Sequence, residues 1–173
     1  MPTILSHPAV AIAAAPYYRG RLPRDLLILG AVCSSLPDAD VAAFGLGIPY
    51  EHPLGHRGFT HSILFAVLFS AFVTLAYRRL RRTPASVAVI FTFLLICIGS
   101  HGVLDAMTDG GKGIGFLIPF DNRRFFFPFR PIHVAPIGLD APAAVLASEA
   151  KWVWLPGLEL AAIGWALNFR RQS

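Results

Sequence analysis

The stretch His56-Arg57-Gly58-Phe59-Thr60-His61-Ser62 opens an apolar segment that ends at Arg78-Arg79-Leu80-Arg81-Arg82. Residues 58–77 contain no Asp, Glu, Lys or Arg. A run of about twenty such residues is long enough for one helix to cross the hydrocarbon core of a bilayer. Polar side chains are rare beside a membrane helix unless they form a site. The stretch therefore predicts a transmembrane helix with a functional site at one end.

A second uncharged run covers residues 83–104. It begins beside Pro84, which suits a helix start, and it closes on His101 and Asp105. The arginine-rich turn at residues 78–82 joins the two runs. The pattern predicts an antiparallel helical hairpin, whose two histidine-bearing ends meet at the same membrane face.

The composition of the chain favours a membrane protein. Of its 173 residues, 55% are hydrophobic and only 14% are charged, and the mean hydropathy is +0.58. About a quarter of the residues of a typical soluble domain are charged. The net charge of +5 comes from short basic clusters next to apolar runs, which is typical of membrane topology and not of nucleic-acid binding. We expect one all-α domain over residues 1–173.

Three further apolar segments complete the predicted architecture of about four transmembrane helices. The apolar run at residues 26–37 is followed, after Asp38 and Asp40, by a second apolar run that ends at residue 48. The two runs form one span, or the first is a short helix that ends at Pro37. Residues 152–169 form another predicted span. Residues 2–18 have too short an apolar part for a full crossing, which indicates a tilted helix or one at the interface. An Ala-rich run there is not preceded by a basic residue, so we expect it to be retained.

Residues 109–150 form a predicted long, non-helical loop, rich in glycine and proline. Phenylalanines alternate with arginines at residues 123–130, a pattern that predicts a segment at the membrane surface. Long loops of this kind are often functional.

Three patches of the sequence, at residues 36–40, 56–62 and 101–105, carry side chains that can bind a metal ion. His101 and Asp105 are four residues apart and therefore share one face of a helix. Imidazole and carboxylate ligands without thiolates suit zinc, with manganese or iron as alternatives. A catalytic ion typically has about three protein ligands and an open position. The sequence offers seven candidate ligands, more than one ion needs, and therefore predicts two ions. The candidate ligands are His7, Asp38, Asp40, His56, His61, His101 and Asp105, although His7 could instead simply lie at the interface.

The remaining ionisable side chains fit the surface better than the site. We expect these to be solvated: Glu51, His52, Asp121, His133 and Asp140. Glu159 lies within a predicted span, where a carboxylate must be neutral or paired. Cys33 and Cys97 lie in apolar segments without a CxxC spacing, so we expect both to be buried and reduced.

The three patches also resemble a known family. Leu36-Pro37-Asp38-Ala39-Asp40, the stretch at residues 56–62 and His101-Gly102-Val103-Leu104-Asp105 look like the YdjM-like bacterial inner-membrane proteins, from about Ser6 to Phe120. That family is described as LexA-regulated, membrane-bound, predicted metal-dependent hydrolases. The resemblance implies a metal-dependent hydrolase in the inner membrane. A more distant similarity in ligand style to helical zinc phospholipases C suggests phosphoester or lipid substrates by analogy.

The expected reaction is hydrolysis of a lipid or lipid-linked phosphoester by metal-activated water at the membrane face. The expected catalytic residues are Asp38, Arg57 and Thr60. Arg57 would hold a phosphate oxygen, Thr60 would orient a ligand or the water, and one of the carboxylates would serve as general base. The alternative is a non-enzymatic transport or accessory protein with a structural or transported metal.

The basic clusters also predict an orientation. Arg19, Arg21 and Arg24, the turn at residues 78–82, and Arg170-Arg171 fall on one side of the predicted topology. Because basic residues favour the cytoplasmic side, the candidate ligands are expected on the non-cytoplasmic face of a multi-pass inner-membrane protein.

Overall fold

The structure, a computed structural model, describes residues 1–136 and 142–169, and its regular elements are helices. They are α1 (Ala9–Ala14), α2 (Arg24–Ser35), α3 (Ala42–Gly45), α4 (Ile63–Leu80), α5 (Val87–Ala106), α6 (Ala143–Glu149) and α7 (Leu155–Phe169). Short 3-10 segments cover Ala15–Tyr18, Leu36–Val41 and Phe59–His61, and a π-helical turn covers Ala150–Trp154. In the described residues, β pairing is limited to two isolated bridges. The predicted all-α class is confirmed.

Three helical segments of the described chain are long and apolar enough to cross a membrane. They are Arg24–Gly45, Ile63–Leu80 and Val87–Ala106, and Ala9–Tyr18 is a shorter apolar helix. Residues 152–169 are helical, but the α-helix there, α7, has 15 residues and does not reach this length. The structure therefore supports three of the predicted spans directly.

The segment that carries Asp38 and Asp40 continues past the proline. After α2, the chain forms the 3-10 segment Leu36–Val41 and then α3. Pro37 lacks an amide N–H, so it cannot contribute to the α-helical hydrogen-bond ladder, and it lies in the first turn of the tighter helix. Both carboxylates therefore lie in a tight turn within one helical path, a combination of the two arrangements that the sequence left open.

Helix α5 forms the centre of the bundle. Its side chains Ile90, Phe93, Leu94 and Cys97 are fully buried, and α2 and α4 pack on either side of it. Gly30 of α2 faces Phe93 so closely that a Cβ at this position would lie 2.4 Å from the Cε1 atom of the ring. Small residues allow membrane helices to approach each other in this way.

The arginine-rich turn lies at the end of the bundle opposite the histidines. Arg78 Nη1 donates to the Ala85 carbonyl at 3.0 Å and so closes the turn between α4 and α5. The hydroxyl of Tyr77 donates to Asp25 Oδ1 at 3.1 Å, and Arg81 Nε lies 3.5 Å from Asp25 Oδ2. Because Asp25 is at the start of α2, the first arginine cluster lies at the same end of the bundle as this turn.

Residues 107–135 fold over the other ends of α4 and α5. The Ile63 N–H donates to the Phe116 carbonyl at 3.0 Å, and the Phe127 N–H donates to the Ala106 carbonyl at 3.0 Å. Ile114 and Phe125 exchange a pair of backbone hydrogen bonds. The loop is thus tied to both helices of the hairpin.

Helix α6 lies inside the segment predicted as a non-helical loop. Its buried residues are Val145, Ser148 and Glu149, whose i, i+3, i+4 spacing places them on one helical face. The Ser148 hydroxyl accepts the His133 N–H at 2.9 Å. Two turns of amphipathic sequence are too few to predict a helix from the chain alone.

Candidate metal centre

Four separate parts of the chain bring five candidate ligands together. His61 ends the 3-10 turn before α4, and His101 and Asp105 lie on the last turns of α5. Asp38 comes from the 3-10 segment after α2, and His7 precedes α1. The hairpin places His61 and His101 in contact, as the sequence predicted. We call these five residues the primary centre.

Four members of the primary centre lie at distances that suit one shared ion. Asp38, His61, His101 and Asp105 each offer a ligand atom within 4.8 Å of the others, and His7 lies beside them. His61 Nε2 lies 3.4 Å from Asp105 Oδ2, and His101 Nε2 lies 3.3 Å from Asp38 Oδ1. His7 Nε2 lies 3.7 Å from Asp38 Oδ2 and 3.9 Å from Asp105 Oδ1. Donors bound about 2 Å from a tetrahedral ion are themselves about 3–4 Å apart. The residues present therefore fit a small divalent cation.

The hydrogen bonds of two histidines leave their lone pairs facing each other. His101 Nδ1 lies 2.7 Å from the Ser34 carbonyl, and His61 Nδ1 lies 3.0 Å from the Thr60 hydroxyl, which donates its own hydrogen to Asp40 Oδ2 at 2.6 Å. The carbonyl only accepts, and the Thr60 hydrogen is already engaged, so each Nδ1 carries the proton. The two Nε2 atoms are 3.0 Å apart, a distance at which a proton or a cation must separate the lone pairs.

Most of the unsatisfied buried polar atoms belong to this centre. In the described residues, eight buried side-chain nitrogen and oxygen atoms have no hydrogen-bond partner. Six of these are the two ring nitrogens of His7 and the four carboxylate oxygens of Asp38 and Asp105. Buried polar atoms are nearly always paired, because an unpaired one loses its hydration without compensation. Their concentration in one place indicates a site for a cation.

Two histidines of the primary centre, His7 and His61, lie outside the candidate spans, and their pKa values are shifted in opposite directions. Burial, together with the neighbouring His101, lowers the pKa of His7 to about 3, so its imidazole is neutral and its lone pair is available. Burial also opposes a charge on His61, but the carboxylates of Asp105, Asp38 and Asp40 raise its pKa to about 10. A cation in the centre would therefore compete with a proton on His61.

A second group, of Asp40, His56 and His61, shares one histidine with the primary centre. Asp40 Oδ1 lies 2.6 Å from His56 Nδ1. Asp40 Oδ2 accepts the Thr60 hydroxyl at 2.6 Å and the Arg57 N–H at 3.1 Å. This carboxylate is well supplied with donors, unlike Asp38 and Asp105. It resembles the outer-shell carboxylates that orient ligand histidines.

Arg57 is buried and forms an ion pair with Asp105. Its Nε atom lies 3.1 Å from Asp105 Oδ2, Nη2 donates to Thr108 Oγ1 at 3.1 Å, and Nη1 donates to the Gly110 carbonyl at 3.0 Å. The residue is only 1% exposed and adopts a φ of 60°, which is uncommon for a side chain of this size. A Cβ on Gly111 would lie 2.4 Å from Nη1. These contacts turn the guanidinium towards Asp105 and the protein interior.

Glu149 is a buried carboxylate that the sequence did not single out. It accepts hydrogen bonds of 2.6 Å from the hydroxyls of Thr3 and Ser6. These contacts hold the segment directly before His7, whose ring stacks on His101 at a centroid distance of 3.7 Å. The partners are more than 140 residues apart in sequence, so no local spacing could have identified them.

The guanidinium of Arg124 is hydrogen-bonded to backbone carbonyls, although Arg124 lies in the segment at residues 123–130 that the sequence placed at the membrane surface. Its Nη1 atom donates to the carbonyls of His56 at 3.0 Å and Arg57 at 3.1 Å. Its Nη2 atom donates to the Tyr50 carbonyl at 2.9 Å. The side chain thus fixes the backbone that presents His56 and Arg57.

The side chains that we expected at the surface lie outside the primary centre. Exposed among them are Glu51, His52 and His133. Glu159, which the sequence placed within a span as a neutral or paired carboxylate, is exposed on α7. Asp121 forms an ion pair with Arg123 at 2.7 Å. Asp140 lies outside the described residues. Cys33 and Cys97 are buried free thiols, as expected.

An apolar cleft begins beside the metal-ligand residues. Its volume is about 500 Å³, and its polar end is formed by Thr60, His61 and Ser62. From there it runs between α4 and α5, beneath Phe116 and Phe127 of the loop. The site therefore adjoins a space of the size that binds small molecules.

Comparison with known proteins assigns the chain to a family of membrane proteins. The model of the YdjM inner membrane protein family matches residues 1–172. The chain belongs to this family. The YdjM family member described here is 39% identical over 171 residues to the inner membrane protein YbcI of Escherichia coli (strain K12), covering 95% of this chain and 98% of YbcI. It is 33% identical over 117 residues to YvsG of Bacillus subtilis (strain 168), covering 64% of this chain and 67% of YvsG.

The family match confirms the resemblance found in the sequence, and it extends that resemblance through the C-terminal third. It also supports an inner-membrane location for this YdjM family member, in agreement with its apolar helices. No solved structure matches the chain significantly.

Proposed function

We propose that this protein is a metal-dependent hydrolase that acts on a lipid or a lipid-linked phosphoester at the membrane face. The observation that carries the proposal is the set of buried ligand atoms of His7, Asp38 and Asp105 that have no hydrogen-bond partner, beside the facing Nε2 atoms of His61 and His101. The apolar cleft that starts at His61 supports a substrate with a hydrocarbon part.

The charge balance of the site supports a divalent ion. Asp38, Asp40 and Asp105 are three carboxylates with side chains no more than 6% exposed, and Arg57 is the buried guanidinium beside them. With neutral imidazoles, the negative charges exceed the positive charge by two. Buried charges are costly without compensation, and one divalent cation supplies the missing charge. Zinc is the ion that best suits imidazole and carboxylate ligands.

We propose that the primary centre holds a single ion. The sequence suggested two because seven candidate ligands exceed the needs of one. However, Asp40 already accepts hydrogen bonds from Thr60 and from the Arg57 N–H and contacts His56, so its oxygens are engaged. Asp40 and His56 then act on His61 by holding its ring, and they are not the ligands of a second ion.

The protein's own residues can be given roles around that ion. A divalent ion would activate water for attack and stabilise the negative charge that develops on a phosphoester. Asp38 is the carboxylate of the primary centre with residual exposure, so we propose it as the general base. Thr60 orients Asp40 through its hydroxyl. Arg57 balances the charge of Asp105 and positions it, in place of the phosphate contact expected from the sequence.

A second candidate function is a structural or transported metal without catalysis. The observation that favours it is burial: the side chains of His7, His61, His101 and Asp105 are not exposed at all. A structural site is closed, whereas a catalytic site keeps an open position for water or substrate.

A combined metal and activity measurement distinguishes the two functions. The protein would be purified in lipid nanodiscs, its bound metals measured by mass spectrometry, and its hydrolysis of membrane lipid extracts measured before and after chelation. The proposal predicts hydrolysis that chelation abolishes and that the metal restores. The control is His52→Ala, which changes an exposed loop residue and should retain both the bound metal and the hydrolysis. Bound metal without hydrolysis of any lipid fraction would support the structural function instead.

A further inference from the structure

The apolar cleft has a direction that matches a membrane lipid. Its polar end lies at the first residues before α4, where Thr60, His61 and Ser62 meet the loop. Its other end is formed by Ala66 of α4 and Leu95 of α5, deeper within the two spans. A lipid in a bilayer has the same arrangement, with the head group at the membrane face and the chains towards the middle.

The length and volume of the cleft fit one hydrocarbon chain. It follows α5 from Val103 to Leu95, eight residues that span about 12 Å at the helical rise of 1.5 Å per residue. One leaflet of the hydrocarbon core is about 15 Å thick. The volume of about 500 Å³ lies within the usual range of ligand pockets, and the walls of the cleft are almost entirely apolar.

The roof of the cleft is fixed to both helices. Phe116 and Phe127 stack with a centroid distance of 6.4 Å, and each is anchored by a backbone hydrogen bond to the end of one helix. At the floor, Gly99 keeps space open, because a Cβ there would meet only the Ala66 Cβ, at 3.9 Å. The cleft is therefore a preformed space between two membrane spans, open where lipid is the surrounding solvent.

We propose that this cleft binds one acyl chain of the lipid substrate and holds the head group at its polar end, which Thr60, His61 and Ser62 form beside the primary centre. This inference rests on the proposed function and specifies its substrate as a lipid with at least one long acyl chain. Binding of the chain would hold the polar group beside the ligand residues, and filling the cleft with a larger side chain would displace it.

The test uses a phospholipid with a photoactivatable diazirine in the middle of one chain, incorporated into nanodiscs with the full-length protein. Cross-links would be mapped by mass spectrometry. Val103→Phe fills the cleft from a side chain that is 41% exposed. Ile96→Phe is the matched control, because Ile96 is 44% exposed on the same helix and does not line the cleft.

We expect cross-links to concentrate on cleft residues, to fall at least ten-fold in Val103→Phe and to stay within two-fold of wild type in Ile96→Phe. Gly99→Leu provides a second filling variant if Val103→Phe does not fold. Equal labelling in the filled and control variants would overturn the proposal. A change in oligomeric mass of Val103→Phe without a change in labelling would also overturn it, because a second copy of the chain would then occupy the cleft.

The same preparations separate this inference from the proposed function. In His101→Ala the apolar cleft is unchanged, so labelling should persist while hydrolysis is lost. Labelled cleft residues in a wild-type protein that hydrolyses no lipid would contradict the hydrolase function and leave chain binding supported. Chelator-sensitive hydrolysis with no cleft labelling would contradict chain binding alone.

Discussion

The Nε2 atoms of His61 and His101 lie 3.0 Å apart, although forty residues separate them in the chain. Each ring is fixed through its Nδ1 atom, one on the Thr60 hydroxyl, which donates to Asp40, and the other on the Ser34 carbonyl. The helical hairpin brings the rings together, and their partners turn both lone pairs to the same point. This arrangement is the basis of the metal hypothesis and of the predictions below.

Asp40→Asn should weaken metal binding while the fold remains. The amide accepts less strongly from the Thr60 hydroxyl, whose oxygen holds His61 Nδ1, so the ring loses its fixed tautomer and orientation. We expect metal affinity to fall about 10–100-fold, as is usual when an outer-shell partner is removed. Competition with a fluorescent chelator would measure the change. Asp121→Asn, which alters an ion pair outside the centre, should bind metal like wild type.

Arg57→Gln should destabilise the protein, because it leaves Asp105 buried without its ion-pair partner. Removal of one member of a buried pair typically costs about 3–5 kcal/mol. Unfolding in mixed micelles would measure the loss, with Arg123→Gln as a control at the exposed pair with Asp121. The double variant Arg57→Gln, Asp105→Asn should recover part of the stability, because the unpaired charge is gone. Strictly additive losses would contradict the pairing.

Glu149→Ala should loosen the segment before His7. Loss of the carboxylate removes the acceptor of the Thr3 and Ser6 hydroxyls, so residues 3–9 should exchange backbone hydrogens faster and metal affinity should fall about ten-fold. Hydrogen–deuterium exchange and metal titration would measure both effects. Glu159→Ala changes an exposed carboxylate on α7 and serves as the control. Unchanged exchange in residues 3–9 would remove Glu149 from this role.

The site should lie on the non-cytoplasmic face. Lys112→Cys, in the loop over the site, should react with an impermeant thiol reagent in intact cells, and Leu80→Cys at the arginine end should not. Background labelling should be low, because the natural Cys33 and Cys97 are buried. The reverse labelling pattern would place the site on the cytoplasmic side.

The hairpin and its ligands could be predicted from the sequence because their signals are local. An uncharged run long enough for a span, a cluster of arginines and the four-residue spacing of His101 and Asp105 each fall within one helix. The convergence of His61 and His101 followed from the antiparallel path alone. The structure places His7 beside this group, whereas the sequence left it open whether His7 is a ligand or a side chain at the interface.

Other features depend on contacts between distant segments and could not be predicted. The sequence predicts a loop at Glu149, and only the docking of α6 shows that this carboxylate holds Thr3 and Ser6. The sequence predicts a phosphate contact for Arg57, but the position of its side chain next to Asp105 depends on the backbone at Gly110 and Gly111. Arg124 belonged to a pattern typical of a membrane surface, yet its hydrogen bonds fix the loop that carries His56.

The most direct test of the metal centre is the metal content of the wild-type protein and His101→Ala, purified side by side in nanodiscs and measured by inductively coupled plasma mass spectrometry. The proposed centre predicts about one divalent ion per wild-type chain, almost none in His101→Ala, and a folded helical variant by circular dichroism. His133→Ala, an exposed histidine outside the centre, should keep the ion. Full metal occupancy in a folded His101→Ala protein would contradict the proposed centre.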